Sequence, residues 1–158
     1  MFDRLQSLFQ SLVRHDDDTD FAPDDPRVAV AALCLQVMDA DGVVHEAERE
    51  KLNTLLRDTY QLSQHDLDAL LAAGKRAENE AIDYFRFTSD LKRHLDHDQR
   101  RHLVGALWDL VYADGERSEI EDHVVWRIAE LLEVSTRDFV IQRQEAAARM
   151  SVREDDNA

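Results

Sequence analysis

The sequence predicts an all-α fold, a bundle of about seven to eight helices built from two helical repeats related by a pseudo-twofold axis. Three observations predict it. Only 4 Gly and 2 Pro interrupt 158 residues rich in Leu, Ala, Glu, Asp and Arg, a helical composition. Apolar residues recur at helical spacing along most of the chain, and no stretch alternates with period two for long enough to claim a strand. The same order of apolar stripe, breaker and cap appears twice, 73 residues apart.

The length suits one compact domain, and an apolar content of 44% is enough for a sizeable core. With 34 acidic residues against 19 basic ones, the net charge of −15 repels polyanions, so nucleic acid is excluded as a partner. A cation, a basic protein surface or solubility alone remains open. Cys34 stands alone, which excludes an intramolecular disulfide, and its apolar surroundings mark it as a small core residue. No run approaches the roughly 20 apolar residues of a membrane span, and no signal peptide is visible, so the expected compartment is the cytoplasm.

Residues 1–14 place Phe2, Leu5, Leu8, Phe9, Leu12 and Val13 on one helical stripe, an amphipathic N-terminal helix. Residues 15–25 are an acidic linker with Pro23. The stripe has three readings: packing onto the domain, docking to a partner or to another copy, or lying on a membrane. Asp3 and the acidic run that follows oppose anionic lipid, which ranks the last reading lowest. The domain is expected over residues 26–150, followed by a polar tail over 151–158.

Within it the elements follow in order. Pro26 suits the first position of a helix behind Asp25 as N-cap, and the helix over 27–40 carries Val30, Leu33, Val37 and Met38. A second helix over 46–60 carries Leu52, Leu55 and Leu56. Ser63 caps a third with Leu67, Leu70 and Leu71, predicted to end near Gly74. A fourth spans 81–95 with Tyr84, Phe87 and Leu91. Asp96 with Gln99 forms a capping box for a fifth, which carries Leu103, Leu107 and Val111 and stops at Asp114-Gly115. Ser118 with Glu121 forms another box before a helix with Val124, Val125, Ile128 and Leu131. Ser135 caps the last helix, predicted to run to about Met150.

Residues 33–63 and 106–135 therefore carry the same pattern. Both run from an apolar helix through Ala-Asp-Gly and a short polar loop into a helix with Glu four and six residues after Gly. Both then end in an apolar residue and a capping Ser. Such a unit cannot bury its apolar face alone, so an internal duplication with the two copies packed together is expected.

The duplicated element is Asp-Gly-x5-Glu. Asp39, Asp41, Gly42, Glu46 and Glu48 form the first copy, and Asp114, Gly115, Glu119 and Glu121 the second. Gly followed six residues later by Glu is the latter half of an EF-hand loop, in which Gly makes the turn and Glu supplies two oxygens. As full EF-hands both fail, because Val37 and Leu110 stand at the first ligand position and Tyr112 replaces an acid in the second copy. Two half-sites of hard oxygen donors suit Ca²⁺ or Mg²⁺ rather than Zn²⁺. The structural alternative is equally open: Asp-Gly is a common helix stop, and carboxylates favour helix N-termini.

Other candidates point to structure. His94, His97 and His102 do not share one helix face and read as surface or capping residues. Trp108, Tyr112 and Trp126 read as core or interface packing. Phosphate loops, serine elbows and zinc spacings are absent, so no enzymatic activity is expected.

The stretch 38–48, Met-Asp-Ala-Asp-Gly-Val-Val-His-Glu-Ala-Glu, and its counterpart over 112–121, Tyr-Ala-Asp-Gly-Glu-Arg-Ser-Glu-Ile-Glu, carry a resemblance to a known family. From Pro26 to about Glu145 the chain resembles the TerB family, the tellurite-resistance domain also found at the front of a membrane-anchored DnaJ-type co-chaperone. The resemblance implies an all-α pseudo-symmetric fold, an acidic site for divalent cations and a bacterial stress role through protein partners. Carried onto this sequence, it implies a site of Asp41, Glu48, Asp114 and Glu121, with Asp39, Glu46 and Glu119 as neighbours. The chain lacks a His-Pro-Asp motif, so J-domain activity is not available to it.

Overall fold

The computed structural model describes residues 21–40, 42, 46–80, 85–113 and 119–156. These form seven α-helices and, among the described residues, no strand: α1 (Pro26–Asp39), α2 (Glu46–Tyr60), α3 (Gln64–Glu80), α4 (Phe85–His94), α5 (His97–Val111), α6 (Glu119–Leu131) and α7 (Thr136–Asp156). The N-terminal stripe, residues 15–20 of the linker, and Ser118 of the second capping box lie outside the described residues.

The helix starts follow local chemistry. Asp25 holds an extended conformation and its carboxylate accepts the Arg27 N–H at 2.9 Å, with Pro26 at the first helical position. Arg27 also returns its guanidinium to Asp25 at 2.7 Å and lies 4.5 Å over the Phe21 ring, fastening the 21–25 segment to α1. Asp96 and Gln99 form the reciprocal capping box that opens α5. Ser63 and Ser135 accept the Asp66 and Asp138 N–H groups at 3.2 and 3.1 Å, opening α3 and α7. The ends that precede them also match. Gln61 and Glu133 take left-handed conformations at φ 53° and 60°, and the next N–H reaches back five residues, Leu62 to Arg57 O and Val134 to Ala129 O, each at 3.0 Å.

α1 is apolar on nearly every side, and an all-round apolar helix belongs at the centre of a core. It packs chiefly on α3 and also touches α2, α4, α5 and α6, while α5 packs chiefly on α7. The cross-contacts are reciprocal, α2 on α5 and α1 on α6. Burial runs in parallel along α2 and α6: Glu48, Leu52, Leu55 and Leu56 are buried in one, and Glu121, Val125, Ile128 and Ala129 in the other.

Two helix ends differ from the sequence reading. Gly74 does not stop α3, which continues to Glu80. The glycine lies against α1, where a Cβ would stand 2.9 Å from the Ala31 Cβ, so its role is close helix approach. α7 continues past Met150 to Asp156. No Gly or Pro follows Met150 to break it, and Arg149, just before Met150, ties the helix to α5 through Asp109 at 2.9 Å.

Candidate functional site

The first Asp-Gly turn is built as a helix stop. α1 ends at Asp39, and Gly42 takes φ +73° with its N–H donating to Asp39 O at 3.1 Å. That left-handed conformation suits a residue without Cβ. Beyond the turn, α2 opens with Glu46 and Glu48 in its first turn, and α6 opens with Glu119, Glu121 and Asp122.

Residues two apart on a helix point roughly 200° apart, so only one acid of each pair can face inward. Glu48 and Glu121 do, at 1% and 2% exposure, while Glu46 and Glu119 are exposed. Glu48 precedes Leu52 and Leu55 by four and seven residues, and Glu121 stands likewise before Val125 and Ile128, so both share a face with core side chains. That spacing is the sequence signal which separates them from Glu46 and Glu119.

Asp39 is engaged elsewhere. Its Oδ2 lies 3.0 Å from Lys75 Nζ on α3, and the same ammonium reaches Glu78 Oε2 at 3.1 Å. Hydrogen bonds to the two carboxylates raise the Lys75 pKa. Burial raises that of Glu78, with a further upward push from its hydrogen bond to Asp39. Sequence reasoning missed this cluster because 36 residues separate Asp39 from Lys75; only the Lys75–Glu78 spacing was visible locally.

Asp41 and Asp114 lie outside the described residues. Among the described residues no three His, Cys, Asp or Glu side chains are grouped so as to hold a metal ion. The tertiary structure thus buries Glu48 and Glu121, leaves Glu46 and Glu119 at the surface, and pairs Asp39 with Lys75.

Of the three clustered histidines, two bond within their own helix and one reaches α7. His94 and His102 bond through Nδ1 to the carbonyls of Asp90 and Asp98 at 2.7 and 2.6 Å, and His97 lies 3.3 Å from Asp138. Cys34 is fully buried, and desolvation pushes its thiol up to about 12. Trp108 is buried between Tyr112 and Phe139, at centroid distances of 5.8 and 5.4 Å, with Arg143 over its ring. Trp126, grouped with it in the sequence reading as core or interface packing, is 43% exposed and therefore not a core residue. A cleft of about 100 Å³ where residues 21–25 meet α1, α3 and α4 mixes Arg76 and Arg86 with Asp24, Asp25, Glu80 and Asp90, and Asp25 already carries the Arg27 guanidinium.

Over residues 27–144 the chain matches the family model described as tellurite resistance protein TerB. The chain belongs to the TerB family. The TerB match begins in the first turn of α1 and ends inside α7, so it takes in both Asp-Gly elements and both buried glutamates. No curated protein and no solved structure matches the chain. Among the described residues, no helix of this TerB-family chain is long and apolar enough to cross a membrane.

Proposed function

We propose that this chain is a non-enzymatic, tellurite-resistance-type module of a bacterial stress response, working in the cytoplasm through protein partners and binding Ca²⁺ or Mg²⁺. The observation that carries the cation is the paired burial of Glu48 and Glu121, each in the first turn of a helix that follows an Asp-Gly element. A buried carboxylate costs desolvation that positive charge or hydrogen-bond donors must offset. Hard oxygen donors following a tight turn suit a divalent cation. Asp41 and Asp114 would add loop oxygens to Glu48 and Glu121. Asp39, held by Lys75, and the exposed Glu46 and Glu119 would act at most as outer neighbours.

Thermal melting after chelation tests this. Calcium or magnesium at about 100 times its Kd adds about 2.7 kcal/mol to the native state when the unfolded chain does not bind. The melting temperature should rise beyond the effect of sodium at matched ionic strength, and Asp41→Asn with Asp114→Asn should remove the difference. Equal shifts with sodium and calcium would leave only the second reading. In that reading the chain is a structural adaptor without metal, docking through its N-terminal amphipathic stripe. The left-handed Gly42 favours it, because an Asp-Gly helix stop explains the turn without any ligand.

A further inference from the structure

Among the described residues, the exposed side of α6 carries large apolar side chains outside the core. Ile120 is 54% exposed and Trp126 43%, and the His123 ring between them stacks on Trp126 at a centroid distance of 5.7 Å and an interplanar angle of 28°. Ile120 to His123 and His123 to Trp126 are each one i,i+3 step, so the three side chains follow one another around the exposed side of the helix. α2 supplies an internal comparison. Seventy-three residues earlier, the corresponding positions are Ala47, Glu50 and Asn53, and α2 packs into the bundle with the same buried face. Ile120 and Trp126 are therefore not required to build this element.

The charges around the strip select its partner. Outside the inward-facing Glu121, α6 holds Glu119, Asp122 and Glu130 against one arginine, and that Arg127 already faces Glu130 at 3.7 Å. With a chain charge of −15, a second copy would bring like charge against like. Tryptophan is enriched among interface anchors, which are ringed by contacts that exclude water.

We propose that the Ile120–His123–Trp126 strip of α6 docks a basic, amphipathic helical segment of a partner protein, its apolar residues on Trp126 and its lysines or arginines over the flanking carboxylates. This deepens the partner half of the proposed function and does not depend on the metal half, so the test runs in chelator.

The probe is a dye-labelled helical peptide of leucine and lysine in heptad spacing, titrated into the full chain. Trp108 is 1% exposed, so Trp126 is the accessible fluorophore. Expected are a blue shift of its emission, protection from acrylamide and weakening with added salt. Trp126→Ala and Ile120→Ala should each lower affinity by about tenfold or more, read by peptide anisotropy. Trp126→Phe should recover much of it, and Asn53→Ala on α2 should leave it unchanged. Circular dichroism and melting should match the wild type, because the altered side chains are exposed. Undiminished binding in Trp126→Ala, or equal binding of a serine–lysine or a leucine–glutamate peptide, would overturn the proposal. So would a wild-type dimer that Trp126→Ala dissociates, or a Trp126 that acrylamide reaches only after residues 1–20 are deleted. A lost calcium effect with intact peptide binding would count against the metal reading alone.

Discussion

Glu48 and Glu121 occupy the same position in α2 and α6, each in the first turn, each on the inward face and each almost sealed from solvent. Both stand where the positive end of the helix dipole favours a carboxylate, which offsets part of the cost of burial. The difference between a cation site and a pair of structural caps lies in what removing the charge does.

Glu48→Gln and Glu121→Gln keep the shape and delete the charge. If a cation binds there, each variant should hold its stability in chelator and lose most of the calcium-dependent rise in melting temperature. If the carboxylates serve only as charged acceptors of hydrogen bonds, each should instead cost about 1.5–3 kcal/mol in urea titrations, with or without calcium.

Gly74→Ala tests the α1–α3 contact. Alanine gains roughly 1 kcal/mol in helix propensity over glycine, but its Cβ would meet Ala31 at 2.9 Å, and such overpacking costs about 1–3 kcal/mol. A net loss of up to about 2 kcal/mol is expected from the urea midpoint. Gly105→Ala in α5 should be milder, because the obstruction there is the end of the Gln142 side chain. A Gly74→Ala protein more stable than wild type would show that α3 can move away from α1.

Cys34 should report global unfolding. Its thiol is sealed in α1 and pushed up to about 12, so the reactive thiolate is scarce in the native state at mildly alkaline pH. Labelling by a disulfide reagent should be slow in buffer and immediate in concentrated guanidinium, with a native rate that tracks the stability of each variant. Rapid labelling without denaturant would mean that α1 is accessible in the folded protein.

The Asp39–Lys75–Glu78 cluster should shape the pH profile. Glu78 is raised above its ordinary 4.5, so the folded state holds that proton more tightly than the unfolded chain does. Its contribution is fully present below 4.5 and is lost as pH rises through the folded value. Glu78→Gln should therefore flatten the fall in melting temperature over that window and raise stability at neutral pH. Lys75 is raised above 10.5, so its contribution is present through neutral pH and lost only when pH climbs past the folded value. Lys75→Met should cost less than about 1 kcal/mol at neutral pH, because the pair is half exposed to solvent, and nothing in strong alkali.

Four helix starts and the central helix were legible in the sequence alone. Asp25, Ser63, Asp96 with Gln99, and Ser135 all open helices as read, because each cap bonds a partner two or three residues away and the sequence contains both members. The long apolar run of α1, interrupted only by Gln36, required a central position wherever the other helices lay. Helical spacing also carried the difference between Glu48 and Glu46, since Glu48 shares its face with Leu52 and Leu55. Other features depended on how separate helices met. Gly74 reads as a stop until Ala31 is brought against it, and Asp39 reads as a free ligand until Lys75 arrives from α3. Trp108 and Trp126 read alike in the sequence, each an aromatic beside a duplicated apolar stripe, yet one is enclosed by Phe139 and Tyr112 and the other faces solvent. Local hydrogen bonds are written within a few residues of chain, whereas a packing partner is determined only when distant helices share one core.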